Sequence, residues 1–364
     1  MDYKLTDDQT ALKKEFDEFF AAEMKNAPRY ESGALKDIYH SEEGFLFHRY
    51  MMTELAKRGW NVMAWPKEYG GRDASIIDQI LFSESMAYHE APGIDVFGIT
   101  MFAPTVMLYA TEEQKQRLLP PIAKAEVHYS QGWSEPNAGS DLASLTTMAI
   151  REGDNYIING QKTWTSGAHR ADHMFLLVRT DPSTKRSTGL SVFNIEMSLP
   201  GIEVRPILYM DNTHSYNEVF FTDVKVPVEE RVGPENEGWK LTRATMNFER
   251  SGAGAYAGMK RRFEELMAYV KNTRRDGKPR VEHPNVRRKL AKMWMDIEIG
   301  RALSYKIAYL QEGGNLLFSP AAASESKVIS SELNQRMANQ ATEIFGLYGQ
   351  IEASRWSPMS GTMI

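Results

Sequence analysis

Two short segments concentrate side chains that could orient a ligand. Residues 131–141 read QGWSEPNAGSD, and residues 159–167 read NGQKTWTSG. Each segment combines an indole with amide and hydroxyl groups, which supply an aromatic plane and hydrogen-bonding groups. Pro136 has no N–H and excludes a regular helix, so the first segment is predicted to be a turn. Polar loops on a β scaffold are frequent binding sites, although a loop that merely closes a strand looks the same when taken alone.

One carboxylate lies in an otherwise apolar run. Asp95 follows Ile94 and precedes Val96 and Phe97, so its side chain is expected to be desolvated, as carboxylates in functional sites often are. The alternative is that Asp95 is simply the N-cap of the helix that follows it.

The elements that position these residues fall into three stretches. The first is predicted to be mostly helical, with an N-cap at Thr6 and a capping box that begins at Thr111. The second has short apolar runs near period two with frequent Gly, Asp and Asn, which predicts an antiparallel β-domain. The third returns to long helical patterns, at residues 239–270, 285–312 and 320–345. We therefore predict an α+β protein with domains at residues 1–127, 128–232 and 233–364.

Composition excludes several classes of protein. The 364 residues include no cysteine, which rules out disulfides and zinc–thiolate sites. A net charge of −5 gives no electrostatic footprint for nucleic acid. No apolar run reaches the roughly 18 residues of a membrane span, and no signal peptide opens the chain, so a cytoplasmic location is expected. The spacing of His89, His169 and His214 suggests no metal site, and solvated or structural roles are expected for them.

The two segments resemble signatures of the acyl-CoA dehydrogenase family. Residues 134–141 resemble T/S-E-P-x-A-G-S-D, and residues 159–167 resemble N-G-x-K-x-W-I/T-T/S-x-G. Residues 60–71, WNVMAWPKEYGG, resemble a third family pattern, and the resemblance covers nearly the whole chain. It implies a helical N-terminal domain, a β-barrel-like middle domain and a four-helix-bundle C-terminal domain.

The resemblance also implies FAD as cofactor, bound against the β-domain. Isoalloxazine or ribityl contacts are expected from the first segment and ring contacts from the second. Ser140 is expected near the pyrophosphate or the acyl-thioester arm. The implied contacts are Gln131, Trp133, Ser134, Ser140, Trp164 and Ser166.

Further cofactor contacts are implied in the C-terminal stretch. Residues 343–349, EIFGLYG, resemble the turn Q-I-x-G-G-x-G, which in the family lies near the flavin pyrophosphate of a neighbouring subunit. Glu343 replaces the usual Gln and Leu347 replaces a Gly, while Gly346 is retained. Arg274 falls where the family has a basic group for the adenine dinucleotide, and a solvated basic turn is the alternative.

The family requires a carboxylate base for the α-proton of the acyl thioester. In most members this base follows the turn just described by some two dozen residues, and the sequence ends at Ile364 before that point. Glu249 occupies the position at which a minority branch carries its base, although it could instead pair with Arg250. Asp95 falls in the segment that lines the acyl pocket, where members that form cyclic dienoyl thioesters use an aspartate.

The expected function is oxidation of an acyl-CoA to the enoyl-CoA, with electrons passed to an electron-transfer flavoprotein. A homo-oligomer, dimer or tetramer, is expected. The alternatives are an alicyclic acyl-CoA dehydrogenase that performs 1,4-elimination from Asp95, a base-less subunit that binds CoA or flavin, and a relative such as an acyl-CoA oxidase or a flavin monooxygenase.

Overall fold

The computed structural model describes residues 4–28, 38–184, 186–210, 212–248, 253–312 and 319–351. The helices of these ranges are α1 (Asp7–Glu23), α2 (Glu42–Lys57), α3 (Ile76–Tyr88), α4 (Ala103–Tyr109), α5 (Glu112–Ala123), α6 (Gly238–Phe248), α7 (Ala253–Asn272), α8 (Pro284–Glu312) and α9 (Ser319–Phe345). The strands are β1 (Tyr129–Gly132), β2 (Met148–Glu152), β3 (Asn155–Lys162), β4 (His173–Arg179), β5 (Leu190–Glu196), β6 (Ile202–Leu208), β7 (His214–Pro227), β8 (Arg231–Val232), β9 (Arg274–Arg275) and β10 (Lys278–Pro279). A π-helix, Val96–Phe102, runs directly into α4.

Strands β1 to β8 form one sheet. Its order is β6-β7-β3-β2-β4-β5-β8, with β1 paired parallel to β4. Most neighbours are antiparallel, as the period-two patterns predict. Apolar side chains of β3, β4, β5 and β7 form a continuous buried cluster. This sheet carries both of the polar segments, which begin within β1 and β3 and continue past the ends of these strands.

The chain divides into two compact units. One comprises Asp37–Asp73 and Gly93–Glu249, and it contains the sheet with α2, α4, α5 and α6. In this unit Phe102 of the π-helix stacks on Tyr129 of β1, with 4.7 Å between ring centroids, and lies 5.3 Å from Phe175 of β4. The π-helix is therefore packed directly on the strand that leads into the first polar segment.

The other unit is a helical bundle drawn from Met1–Lys36, Ala74–Pro92 and Arg250–Ile364. Its core contains Leu266 of α7, Ile297 of α8 and Leu333 of α9, all almost fully buried. An ion pair joins α3 to α8, because Arg301 donates to both carboxylate oxygens of the buried Glu84, at 2.7 and 3.2 Å.

The α+β fold class, with helical, sheet and helical parts in that order, is confirmed. The predicted N-cap at Thr6 and the predicted capping box at Thr111 with Gln114 are present, and Thr6 also forms a capping box with Gln9. The single helix predicted at residues 239–270 is described as α6 and α7, and residues 249–252 between them lie outside the described residues. The domain boundaries at residues 127 and 232 stay a prediction. Within the described ranges, no helix combines the length and apolarity that a membrane crossing requires.

Candidate active site

The two polar segments lie side by side. The backbone N–H of Thr163 donates to the carbonyl of Ser134, with 2.9 Å between the atoms. The Nζ of Lys162 donates to the carbonyl of Trp133 at 3.1 Å and to Oε1 of Glu135 at 2.9 Å. Residues that are 29 positions apart in the chain are thus held together at the ends of β1 and β3.

The contact between the segments is a fully buried ion pair. Lys162 is 0 % exposed and Glu135 is 6 % exposed. Glu135 also accepts the backbone N–H groups of Thr146 and Thr147, at 2.7 and 2.9 Å. Burial alone would raise the pKa of Glu135, but the charge of Lys162 and these hydrogen bonds outweigh it and lower that pKa to about 2. Burial lowers the pKa of Lys162 to about 8, so both groups are charged at neutral pH.

The first segment leaves β1 and turns back on itself. Glu135 and Ala138 exchange backbone hydrogen bonds of 3.0 Å, which closes the turn around Pro136. The indole of Trp133 is buried edge-on to Phe175, at 5.2 Å between ring centroids. Its Nε1–H has no hydrogen-bond partner in the part of the chain that the structure describes.

The polar side chains of this segment differ in exposure. Gln131 and Ser134 are half-buried, whereas Ser140 is exposed beyond the turn. A Cβ added at Gly139 would meet no atom within 4 Å, so the backbone there is open to a ligand. The exposures of these side chains and the open backbone at Gly139 agree with a turn that presents amide, hydroxyl and indole groups to a ligand.

The second segment presents its indole to solvent. Trp164 has φ of +57° and is 60 % exposed, with its ring edge-on to Tyr216 at 5.9 Å. A left-handed backbone at a large residue is uncommon and is frequently found at functional sites. Thr165 is buried, and its hydroxyl has no partner among the described residues. Ser166 is half-buried.

Strand β7 anchors the second segment. Thr165 and Asn217 exchange backbone hydrogen bonds of 3.0 and 3.1 Å, and the N–H of Gly167 donates to the carbonyl of Ser215 at 2.8 Å. The side-chain Nδ2 of Asn217 also donates to the Thr165 carbonyl, at 3.0 Å, so this carbonyl accepts two hydrogen bonds. The exposed indole of Trp164 is therefore followed in the chain by residues, Thr165 and Gly167, whose backbone is hydrogen-bonded to β7.

Asp95 is the N-cap of the π-helix. Its Oδ1 accepts the N–H of Gly98 at 3.1 Å, and its Oδ2 accepts the N–H of Tyr129 at 3.0 Å. The carboxyl is 1 % exposed, and burial raises its pKa to about 7 against the effect of these hydrogen bonds. His128 Nδ1 lies 3.7 Å from Oδ1. The geometry is that of a group that ties the π-helix to β1, and its assignment as a base stays a prediction.

The remaining predicted site residues are placed as follows. Glu249 lies outside the described residues. Arg274 is exposed at the β9–β10 hairpin, where its Nη1 donates to the carbonyl of Gly277 at 2.9 Å. Glu343 is an exposed residue at the end of α9 and pairs with Lys289. Gly346 follows α9 with φ of +66°, the left-handed conformation in which glycine is preferred.

The donor set next to Trp164 fits FAD. An isoalloxazine ring has one flat apolar surface and a rim of hydrogen-bonding atoms, so it needs an aromatic or apolar face with oriented polar groups around it. The exposed indole supplies a face, and Ser134 and Ser166 supply hydroxyls on the two adjoining segments. The buried Trp133 Nε1–H and Thr165 hydroxyl are two further groups that still require partners. In the described part of the chain no group of three His, Asp or Glu side chains could hold a metal ion.

Sequence reasoning missed Lys162 and Asn217 as structural parts of this site. The signal for Lys162 was present, because a lysine and a glutamate occur inside two polar segments that were treated as ligand contacts. Asn217 had no such signal, since its partner Thr165 is 52 positions away.

Comparisons with known proteins agree on one family. The models described as acyl-CoA dehydrogenase N-terminal, middle and C-terminal domains match residues 6–126, 130–224 and 236–360. The acyl-CoA dehydrogenase FadE26 of Mycobacterium tuberculosis is 35 % identical over 346 residues, which cover 94 % of this chain and 85 % of that protein.

Solved structures give the same result. The crystal structure of the ChsE4–ChsE5 complex from Mycobacterium tuberculosis is similar with a TM-score of 0.86 and 32 % identity, over 100 % of this chain and 91 % of that one. The Tcur3481–Tcur3483 steroid ACAD is similar with a TM-score of 0.87 and 31 % identity, also over 100 % and 91 % of the two chains.

Proposed function

Because the chain belongs to the acyl-CoA dehydrogenase family, whose members are FAD-dependent oxidoreductases, we propose that it oxidises an acyl-CoA thioester to the α,β-unsaturated enoyl-CoA. The observation that supports this most directly is the junction of the two segments. The Thr163–Ser134 hydrogen bond and the buried Lys162–Glu135 pair bring the candidate flavin contacts of both segments to one place.

The residues of this chain would do two things, which are to hold the flavin and to remove the α-proton of the substrate. Trp164, Ser134 and Ser166 would hold and orient the isoalloxazine, with Gln131 and Trp133 on the adjoining strand. When bound, FAD would supply the two-electron acceptor that the protein's own side chains lack. A carboxylate would remove the α-proton, and an electron-transfer flavoprotein would take the electrons. We assign the base to Glu249, because both oxygens of Asp95 already accept backbone N–H groups.

The test is a visible spectrum of the purified protein, followed by anaerobic addition of a panel of acyl-CoAs. Flavin absorption that one acyl class bleaches is expected, together with release of the matching enoyl-CoA. A protein that takes up no FAD would overturn the proposal. Rapid reoxidation by oxygen would instead indicate an oxidase or a monooxygenase.

The base assignment is tested by Glu249→Gln, with Glu152→Gln as a control that changes an exposed carboxylate at the end of β2. Loss of a general base lowers turnover by about 10²- to 10⁴-fold, so E249Q should lose bleaching while FAD stays bound. E152Q should bleach at the wild-type rate. An E249Q protein that bleaches normally would exclude Glu249 as the base.

A second candidate function is favoured by the comparisons. Two of the similar structures are named for a pair of proteins, the ChsE4–ChsE5 complex and the Tcur3481–Tcur3483 steroid ACAD. This chain would then be one subunit of a two-protein enzyme that acts on a steroid-linked acyl-CoA. Purified alone it would show little bleaching with any acyl-CoA, and addition of the partner protein would restore bleaching with a steroid-linked thioester only.

A further inference from the structure

Two histidines stack directly behind the second polar segment. The imidazoles of His169 and His214 are 4.0 Å apart between ring centroids and inclined by 20°. His169 follows Gly167 in a short 3₁₀ turn, and His214 opens β7. Neither belongs to the predicted flavin contacts, yet both reach the same side chain, that of Asn217.

The carboxamide of Asn217 uses both of its ends in this cluster. Its Oδ1 lies 2.8 Å from Nε2 of His214, and its Nδ2 lies 3.1 Å from Nδ1 of His169. The same Nδ2 donates to the carbonyl of Thr165 at 3.0 Å. Asn217 is 0 % exposed, so no water can substitute for a bond that it loses. Nε2 of His169 meets the carbonyl of Tyr39 at 3.0 Å.

These contacts define the protonation states. Nε2 of His169 faces a carbonyl and must carry a proton, so its Nδ1 is free to accept from Asn217 only if the ring is neutral. A doubly protonated His169 would bring its Nδ1–H against the Nδ2–H of Asn217. Reversal of the carboxamide would relieve that conflict, but it would turn Oδ1 toward the Thr165 carbonyl and break that bond. Protonation of His169 is therefore incompatible with the side-chain bond to Thr165.

We propose that His169 and Asn217 are positioning residues that hold Trp164 and Ser166 in place through the carbonyl of Thr165, and that they do so only while His169 is neutral. The proposal rests on the proposed flavin function, because Trp164 and Ser166 are its candidate ring contacts. Thr165 lies between them in the chain, and without the side-chain bond its carbonyl is held by the backbone N–H of Asn217 alone, which loosens the backbone that carries both side chains.

The surroundings of His169 favour the neutral form. Burial lowers the pKa of His169 below its ordinary value, the Tyr39 carbonyl opposes this effect, and charge on His214 or Arg170 lowers the pKa further. The charge of Arg170 is shared with Glu42, its ion-pair partner. The other titratable groups near the cluster are His40, whose Nδ1 accepts the N–H of His214, and His128, which lies against the far side of the Tyr39 ring.

The lowered pKa of His169 fixes the direction of the pH dependence. A histidine whose pKa is lowered by folding stays neutral in the folded protein at a pH at which the unfolded chain has begun to protonate it. The arrangement is therefore intact at the ordinary value of 6.5 and above, and it is lost only as the pH falls further, through the lowered pKa of His169 in the folded protein. Retention of FAD should decline over the same interval.

The experiment measures the dissociation constant of FAD from the apoprotein by quenching of flavin fluorescence, between about pH 7.5 and pH 5. The wild-type protein should bind up to about tenfold more weakly at the acidic end, because the buried Thr165 carbonyl loses one of its two donors and keeps only the backbone N–H of Asn217. Asn217→Ala should bind about tenfold more weakly at neutral pH and lose most of the pH dependence. His169→Gln, which cannot be protonated, should bind equally at both ends.

His89→Gln is the matched control, because it removes a histidine that makes no hydrogen bond to this cluster, and it should retain the wild-type pH profile. A second readout needs no flavin. The difference in tryptophan fluorescence between the wild-type apoprotein and Trp164→Phe reports the surroundings of Trp164, and it should titrate in the wild-type background but not in the H169Q background.

An H169Q protein that keeps the wild-type pH dependence in both readouts would overturn the inference. Wild-type protein that binds no FAD would instead contradict the proposed function. In that case the Trp164 fluorescence titration would still show whether His169 controls the position of the second polar segment. A global unfolding transition in the same pH interval is excluded by following the far-ultraviolet circular dichroism of each variant.

Discussion

At the scale of single residues, the Glu135–Lys162 pair is the most consequential contact of the candidate site. Replacement of Lys162 by Met leaves a carboxylate that is 6 % exposed without its cation. Breaking a buried ion pair in this way costs about 3–5 kcal/mol, whereas replacing both partners by residues without charge is often nearly neutral. We expect Lys162→Met to lower the free energy of unfolding by about that amount, and Glu135→Gln with Lys162→Met to recover part of the loss.

Urea unfolding of the two variants measures this difference, and equal losses would show that the unpaired carboxylate of Glu135 is not what destabilises Lys162→Met. Acid titration gives an independent check. The folded-state pKa of Glu135 lies near 2 and its ordinary value is 4.5, so the stability that this group contributes is present above 4.5 and is lost as the pH falls toward 2. Variants that lack Glu135 should lose less stability over that interval.

Substitution of Asp95 distinguishes its two candidate roles, N-cap of the π-helix and catalytic base. Asp95→Asn places an amide N–H₂ against the N–H of either Gly98 or Tyr129, which should cost about 1–3 kcal/mol of stability. A folded-state pKa near 7 against an ordinary value of 3.8 means that this group makes the fold less stable as the pH rises between those values, and D95N should abolish that slope. Thermal melts across this range measure both effects. Unchanged stability with a large loss of turnover would contradict the cap and favour the base.

The sequence predicted the chemistry of these residues better than their partners. Gln131, Ser134 and Trp164 could be singled out because amide, hydroxyl and indole groups in a turn are informative by type alone. The Glu135–Lys162 pair and the Asn217–Thr165 contact could not, because they join positions 27 and 52 residues apart, and pairing over such distances depends on the register of the sheet.

At the scale of elements, the turn after β3 depends on Gly167. Its φ is +64°, and a Cβ there would lie 2.5 Å from the ring of Tyr39. Gly153, in the β2–β3 hairpin, has a similar φ of +61° but open space around it. Both glycine-to-alanine changes should cost about 1–2 kcal/mol for the left-handed backbone, and Gly167→Ala should cost about 1–3 kcal/mol more for the clash.

The difference in free energy of unfolding between the two variants, measured in urea, gives the cost of the clash with Tyr39, because the cost of the left-handed backbone is common to both. G167A should also weaken FAD binding, because Trp164 and Ser166 stand on the same turn, whereas G153A should not. If the two variants lose equal stability, the Tyr39 ring is able to move aside and the turn is not constrained.

Elements that begin at a recognisable local sequence pattern were predicted well, and elements that have no such pattern were not. Helix α1 begins at the predicted N-cap Thr6 and α5 at the predicted capping box of Thr111, because the groups that cap each helix lie within three residues of each other in sequence. The π-helix before α4 was predicted only as a helix, because i→i+5 bonding has no residue pattern of its own. The β9–β10 hairpin was missed as well, although Asp276 and Gly277 supply the two positive φ angles of its turn.

At the scale of the whole molecule, the net charge of the chain leads to a prediction about how salt affects FAD binding. The chain has a net charge of −5, which repels anionic ligands such as FAD and acyl-CoA. A local basic patch must therefore offset this field if the adenine dinucleotide binds near the β9–β10 hairpin, where Arg274 is exposed. Salt screens exposed charges over a Debye length of about 10 Å at 0.1 M, so the sign of the salt effect shows which contribution dominates.

We expect FAD to bind more weakly as salt is raised, because an attraction between the pyrophosphate and Arg274 would be screened. Arg274→Gln should weaken binding at low salt and flatten this dependence. Arg151→Gln is the matched control, since Arg151 is also exposed in a hairpin and donates to a glycine carbonyl, at 3.2 Å, as Arg274 does at 2.9 Å. Affinity that rises with salt in the wild-type protein would mean that the net negative charge dominates and that Arg274 is only a solvated turn residue.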